Sequence, residues 1–440
     1  MVNSLFWDNL LWLLIIFLVF IFPYTYIRSK RSRNTKISQL KEESKSLGMD
    51  QPVAQFPQID PSLCIGCGAC ITACPEGEVL GLVDGKVAII NGVKCVGHGL
   101  CAKACPINAI TIGLGDVSKR SNIPNISDTN ETTVENVYIA GELGGFALIK
   151  NAVEQGKKVV NHIFKKGLPS AEENVVDIAI IGCGPAGLSA ALTAIDLGLR
   201  YIILDQQDMG GTVLQYPKRK LVLTDPVYLP RYGQLKKHEY FKEELLAIWE
   251  SICKKENLNF VSRRKFEGLQ THHGILQLET LNMNTSEKVI YQAKSVILAL
   301  GRRGTPRKLG ASGEEKSKVM YSLSDASQFT NCRVLVVGGG DSAVEAAMAL
   351  SEQKGTTVSL SYRKPKFFRI KNKNKERIHD YSKQKKVTVY FDSNLKHISN
   401  DSVSLDISGK EVTIENDYVF IFAGGLPPFP LLEKIGVKFN

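Results

Sequence analysis

From its amino end the chain opens on an apolar run, Leu10 to Ile27, interrupted only by Pro23 and Thr25. As a helix rising about 1.5 Å per residue, this run spans roughly 27 Å, close to a bilayer's hydrocarbon core. Trp7 and Trp12 lie toward one end and Tyr24 and Tyr26 toward the other, where interfacial aromatics belong. Residues 28–55 are polar, with no sustained apolar period, and read as a basic tether. From Asn136 onward, buried-type strands, most of them running into glycine, alternate with Ala/Leu-rich helical periods. The strands are Tyr138 to Ala140, Val176 to Ile181, Tyr201 to Leu204, Ser295 to Leu300, Arg333 to Val337, Thr357 to Ser361 and Asp417 to Ala423. This alternation predicts an α/β fold with two Rossmann-like dinucleotide-binding domains.

Charge orients the first segment. Arg28, Lys30, Arg31, Arg33 and Lys36 follow the apolar run at once, whereas the first nine residues carry only Asp8 and the terminal amine. The positive-inside rule then places everything after Arg28 in the cytoplasm. A cleaved signal would need positive charge before the run and small residues at a cleavage site after it. The expectation is a retained single-pass membrane anchor over residues 5–27, with a core helix or signal segment as the rival reading. The net charge of +11 is partly local, with a second basic group between Arg363 and Arg377. No nucleic-acid recognition motif accompanies either group, so nucleic acid is not an expected partner. A chain of 440 residues is too long for one core and implies two or three domains.

Seven of the ten cysteines sit in two runs, which argues against a secreted disulfide scaffold and for a reducing compartment. The first run is Cys64, Cys67, Cys70 and Cys74 followed by Pro75. The second is Cys95, His98, Cys101 and Cys105 followed by Pro106. Both follow the bacterial ferredoxin spacing Cys-x-x-Cys-x-x-Cys-x-x-x-Cys-Pro, in which the last cysteine of each run serves the other cluster. One [4Fe-4S] cluster would take Cys64, Cys67, Cys70 and Cys105. The second would take Cys74, Cys95 and Cys101 with His98 at the fourth place, as a [3Fe-4S] cluster or a histidine-ligated [4Fe-4S] cluster. Tetrahedral zinc is the competing reading of paired cysteines. A small α+β ferredoxin-like domain over residues 56–116 would owe much of its stability to its metal.

Two glycine loops carry the nucleotide chemistry. Gly182, Gly184 and Gly187 join a strand to a helix, and the next strand ends on Asp205. Glycines allow the tight turn and the close approach of a pyrophosphate to the helix N-terminus, and the acid meets the ribose hydroxyls. Gly338, Gly340 and Ala343 repeat the arrangement, but the following strand ends in Tyr362, Arg363 and Lys364. A carboxylate there would repel a 2′-phosphate, whereas these cations, joined by Arg369, would bind it, so NADPH is expected over NADH. A merely solvated basic face is the alternative for the later cations.

These residues resemble the two-dinucleotide flavoprotein oxidoreductases of the thioredoxin reductase type. The resemblance covers Val176 to Asn440 and implies FAD at Gly182, Gly184, Gly187 and Asp205, NADPH at the second loop, and a return strand at Gly301. That family ends on a flavin-contacting Gly-Asp strand, which here lies upstream as Gly141 and Glu142, so the flavin domain resembles a circular permutation. The implied division is 117–305 with 423–440 for FAD, with 117–168 as the permuted segment, and 306–422 for NADPH. The family's redox Cys-x-x-Cys is missing from Lys318 to Asp325, and Cys183, Cys253 and Cys332 are scattered. The expected protein is therefore an FAD-dependent NAD(P)H oxidoreductase that moves electrons between NADPH, FAD and iron-sulfur clusters to an electron-transfer protein or membrane redox partner such as a quinone. A disulfide reductase and a tethered redox sensor are the alternatives, and the sequence leaves room for a homodimer.

Overall fold

A computed structural model describes residues 2–49, 52, 54–114, 123–146, 148–167, 174–302, 304 and 306–439. The boundaries expected at 116/117, 168 and 305 lie outside the described residues. The chain divides into two units, Met1–Gly113 and Leu114–Asn440.

In the first unit, helix Val2–Ile16 passes through a π turn, Phe17–Ile21, into helix Phe22–Ser46. Pro23 lacks an N–H and its ring crowds the carbonyl four residues back, which accounts for the widened turn just before it. The tether expected over 28–55 is corrected here, because 28–46 continue this helix. Between Pro23 and Gly48 no proline or glycine interrupts a sequence of good helix formers, and the lack of an apolar stripe does not prevent the helix. The helix is also anchored laterally. Asn34 Nδ2 donates to Asp84 Oδ1 at 3.2 Å, and the Ile37 side chain lies 2.8 Å from the place a Gly81 Cβ would take.

The rest of this unit is built twice over. Strand Phe56–Ile59 pairs antiparallel with Ile110–Gly113, and Leu80–Val83 with Lys86–Ile89. Two one-turn helices, Ala69–Thr72 and Leu100–Lys103, follow the cysteine loops. The core between them is small and includes buried Cys64, Cys70 and Cys101.

The second unit contains two nucleotide-type sheets. In the first, Phe260–Val261, Tyr201–Leu204, Val176–Ile181 and Lys288–Leu298 lie in that order, all parallel. The far edge of Lys288–Leu298 is shared. Its first half pairs antiparallel with Ile275–Asn282, and its last three residues pair parallel with Val137–Ile139. The upstream strand Val137–Ile139 thus enters the sheet next to the return strand. Helix Ile149–Lys166 then packs on helix Pro185–Asp196, where Ser189 Oγ donates to the Val153 carbonyl at 2.7 Å.

The second sheet runs Val319–Met320, Tyr418–Ile421, Arg333–Val337, Thr357–Ser361, Val387–Tyr390, all parallel. A three-stranded antiparallel sheet, Ser393–Ile398, Ser402–Ile407 and Lys410–Glu415, is set beside it. The two halves are joined by segments that themselves pair, through an antiparallel bridge between Pro306 and Gly425. Two ion pairs also cross between the halves: Lys218 to Asp325 at 3.4 Å and Lys220 to Glu345 at 2.8 Å.

Candidate redox sites

Parallel strands present their carboxyl ends on one edge, and nucleotides bind there. Gly141, Gly182, Asp205 and Gly301 all follow strands of the first sheet on that edge. Gly182 has φ 108°, and an added Cβ would stand 2.5 Å from the Ala299 carbonyl oxygen, so this turn admits glycine alone. A Cβ on Gly187 would stand 1.9 Å from the Gly182 oxygen, so the helix packs closely on the strand it follows. No heavy atom outside its chain neighbours lies within 4 Å of the Cβ position at Gly301, and only Gly211 approaches that of Gly184, at 3.9 Å. This open cradle fits a dinucleotide's phosphates at a helix N-terminus.

Asp205 braces the loop. Its Oδ2 accepts from Cys183 N–H at 2.7 Å and its Oδ1 from Gln207 N–H at 2.9 Å. Burial pushes its carboxyl up, against the lowering effect of these N–H donors. Glu142 opens a short helical turn after Gly141, and its charge offsets the burial that lowers the Arg302 guanidinium. Arg302 also lies 5.6 Å above the Phe429 ring. Sequence reasoning missed Arg302, although it directly follows the return glycine.

At the second loop Gly338 has φ 150° and packs against the Phe422 carbonyl, while the Cβ position of Gly340 is open. Ala343 is fully buried beneath the turn. The Tyr362 ring covers Gly339, with ring atoms 2.0 Å from where its Cβ would be, and stacks on Phe367 at 5.6 Å. Burial raises the Tyr362 hydroxyl, while the charges of Arg369 and Arg363 lower it, so the structure brings both cations to this ring. Arg363 and Arg369 are exposed and Lys364 is half-buried.

The two cysteine loops share one backbone pattern. Gly66 and Gly68 flank Cys67 with φ of 72° and 78°, and Gly97 and Gly99 flank His98 with φ of 74° and 79°. His98 therefore stands at the Cys67 place of its own loop. Backbone N–H groups reach the sulfurs, from Val87 to Cys64 Sγ at 3.5 Å and from Ala109 to Cys105 Sγ at 3.2 Å, contacts that in an iron-sulfur site would raise its potential. Cys74, Cys95, His98 and Cys101 line one cavity, together with Glu76. Among the described residues no three such side chains close on the dimensions of a single ion. Burial raises the Cys95 thiol to about 11 and raises Cys74 and Cys101 as well, so bare thiols keep their protons at neutral pH and metal must displace them. Cys67 is exposed and Cys70 buried, with Cys67 among the charges acting on Cys70.

Outside these loops, Cys183 is 1% exposed and its thiol is pushed well up by burial, and Cys332 is buried at 8% exposure. The place of the thioredoxin reductase dithiol holds strand Val319–Met320 and buried Leu323.

Residues 56–106 match a 4Fe-4S dicluster domain, and residues 179–440 match the family described as pyridine nucleotide-disulphide oxidoreductase. Bacilliredoxin reductase Bdr of Bacillus subtilis is 25% identical over 272 residues, 59% of this chain and 80% of that protein. The ferredoxin–NADP reductase of Thermus thermophilus is 28% identical over 278 residues, 60% of this chain and 77% of that protein. Its counterpart in Ignicoccus hospitalis is 29% identical over 191 residues, 43% of this chain and only 57% of that protein. The solved bacillithiol disulfide reductase Bdr from Bacillus cereus shares the fold, with a TM-score of 0.53 at 23% identity over 60% of this chain and 82% of that one. Because the matched stretch takes in more than half of its length and holds both glycine loops, the chain belongs to the pyridine nucleotide-disulphide oxidoreductase family, as an FAD-dependent enzyme with an iron-sulfur domain ahead of its flavoprotein unit.

Proposed function

We propose that this is a membrane-anchored, cytoplasm-facing oxidoreductase that carries electrons between NADPH and a protein or quinone-type acceptor by way of FAD and two iron-sulfur clusters. The observation that carries the reading is a substitution of exits. The flavoprotein unit has both nucleotide loops but a strand and a buried leucine where thioredoxin reductases, which its sequence resembles, place a dithiol, and the same chain supplies two cysteine runs. FAD accepts a hydride as a pair of electrons and releases them singly, which suits it to join a nicotinamide to one-electron clusters.

The chain's residues then divide the work. Gly182, Gly184 and Gly187 would let the FAD pyrophosphate reach its helix, Asp205 would meet the ribose, and Gly141, Glu142 and Gly301 would border the flavin. Gly338, Gly340 and Ala343 would seat NADPH, with Arg363, Lys364 and Arg369 on its 2′-phosphate. Cys64, Cys67, Cys70 and Cys105 would hold the first cluster. Cys74, Cys95 and Cys101 would hold the second, with His98 at the place of its fourth thiolate. The similarity to ferredoxin–NADP reductases supports an electron-transfer protein as the acceptor. The similarity to bacilliredoxin reductase supports disulfide reduction instead, but the buried, protonated Cys183 is a poor nucleophile for it.

Anaerobic titration with NADPH, followed by flavin absorbance and cluster EPR, tests the reading. Flavin and both clusters should be reduced, and NADPH should be oxidised steadily with ferricyanide but not with small disulfides. Turnover with disulfides alone would overturn it.

The helix from Leu10 to Ser46 is long and apolar enough at its start to cross a membrane, and its apolar side chains are exposed. Deleting Met1 to Arg33 should move the protein from the membrane to the soluble fraction with its ferricyanide reductase activity kept. The cut spares Asn34 and Ile37, which hold the helix to the Leu80–Ile89 hairpin. A truncated protein that retains its flavin yet still sediments with membranes would refute the anchor.

A further inference from the structure

The helix that leaves the apolar run fixes a distance. Asn34 lies seven residues beyond Ile27, about 10 Å along the axis, and no proline or glycine interrupts the chain between Pro23 and Gly48. A flexible tether would let the cysteine loops wander from the membrane, whereas a continuous helix holds them at one height above it.

Contacts along this helix put the two loops in order. Nearest the apolar run, Asn34 and Asp84 exchange hydrogen bonds, from Asn34 Nδ2 to Asp84 Oδ1 at 3.2 Å and from Asp84 N–H to Asn34 Oδ1 at 3.3 Å. The next residue, Gly85, has its carbonyl oxygen 2.0 Å from where a Gly66 Cβ would stand, and Lys86 Nζ donates to the Cys64 carbonyl at 2.5 Å. The hairpin turn thus seats the first loop beside Asn34. The second loop is held after the helix has ended, where Val93 N–H donates to the Met49 carbonyl at 3.1 Å and Gln55 Nε2 to the Gly97 carbonyl at 2.7 Å. From Asn34 to Ser46 the helix rises about 18 Å, so the first loop is the one nearer the apolar run.

The first loop also has an apolar, uncharged surface. From Pro61 to Pro75 it contains no Asp, Glu, Lys, Arg or His, whereas the second run includes His98 and Lys103. Leu63 and Ile65, on either side of Cys64, are 51% and 65% exposed, and Cys67 is exposed with them. Val96, at the place of Ile65 in the second loop, is half-buried. Encounters between soluble electron carriers are steered by charge, which the first loop lacks. Exposed apolar side chains around an exposed cluster cysteine suit a carrier dissolved in the membrane's own apolar phase.

We propose that the first cysteine loop faces the bilayer and that the cluster it holds passes electrons to a lipid-soluble quinone-type carrier docking on Leu63 and Ile65. The inference deepens the proposed function and rests on its membrane anchor and its clusters. The reaction balances without a further reactant. NADPH, one proton and one quinone give NADP+ and one quinol, the two electrons of the hydride crossing the loop singly while the quinone takes up two protons.

The test uses the full chain in liposomes that contain a long-chain quinone. Seven helix-forming residues inserted between Ser32 and Arg33 add about 10 Å in two turns and nearly keep the helix face. Quinone reduction by NADPH should then lose most of its rate, while ferricyanide reduction is unchanged. Leu63→Gln combined with Ile65→Gln should raise the KM for quinone about tenfold with little change in kcat. A photoreactive azido-quinone gives a readout independent of turnover, and in the unaltered protein it should label the peptide that holds Leu63 and Ile65. Unchanged quinone reduction after the insertion, or labelling confined to other peptides, would overturn the inference. A chain that reduces a soluble ferredoxin with NADPH but no quinone would also overturn it, while leaving the electron-transfer reading in place. Should the paired variant misfold, the insertion and the labelling decide, since both keep the loop intact. Failure of the underlying reading looks different: NADPH is then not oxidised with ferricyanide, or the chain is not retained by the liposomes.

Discussion

Replacing Arg363 and Lys364 together by alanine is expected to abolish most of the discrimination between NADPH and NADH. Both follow strand Thr357–Ser361 at the edge where the second glycine loop opens, and the charges of Arg363 and Arg369 reach the Tyr362 hydroxyl beside it. A charge-assisted contact to a phosphate contributes about 1.5 to 3 kcal/mol, and two such contacts sharing one group add incompletely. A combined loss of about 2 to 4 kcal/mol corresponds to a fall of roughly 30- to 900-fold in kcat/KM for NADPH. NADH lacks the 2′-phosphate, so its kcat/KM should scarcely move. Steady-state kinetics with both nucleotides, at constant ionic strength, gives the ratio. Equal Michaelis constants for the two nucleotides in the unaltered protein would remove the basis for the assignment.

Gly156→Leu is expected to strip FAD from the protein. Gly156 lies in helix Ile149–Lys166, at the crossing with the flavin-loop helix Pro185–Asp196, and a Cβ there would stand 2.2 Å from the Ala186 carbonyl oxygen and 3.1 Å from Ala190 N. Those atoms are backbone and cannot rotate away, so the helices must separate. Overpacking costs about 1 to 3 kcal/mol where a core can adjust, and more where backbone blocks backbone. The displaced element is the helix N-terminus that would face the FAD pyrophosphate. Flavin content per chain and the melting temperature should both fall, while the iron content of the separate cluster unit should persist. Glu154→Leu, on the exposed side of the same helix, is the control. Full flavin occupancy in Gly156→Leu would show that the upstream segment does not support the flavin site.

The same crossing marks the limit of what was legible beforehand. Gly182, Gly187 and Gly338 announced themselves because each has an immediate local reason to be glycine: a positive φ, or a helix turning back onto its own strand. Gly156 sits within a helical period, where glycine is merely a poor helix former. Its reason is a second helix 30 residues further along the chain, which no local pattern encodes. The helical continuation through residues 28–46 went unread for a related cause. Periodicity detects a helix by its apolar stripe, and this one is held by continuity with the apolar segment and by the Asn34 and Ile37 contacts.

By itself the sequence determined the chemistry that depends on neighbours in the chain. Two cysteine runs, two glycine loops with their following strands, and the apolar run all act through spacings of a few residues, where backbone geometry leaves little freedom. Tertiary structure decided what depends on encounters between distant segments. It set strand Val137–Ile139 against Lys288–Leu298, drew the Tyr362 ring over Gly339, and buried Glu76 beside three thiols while leaving Ile107 in water. Burial and strand pairing are properties of the whole packed chain, in which a residue's exposure follows from what folds over it and not from its own polarity.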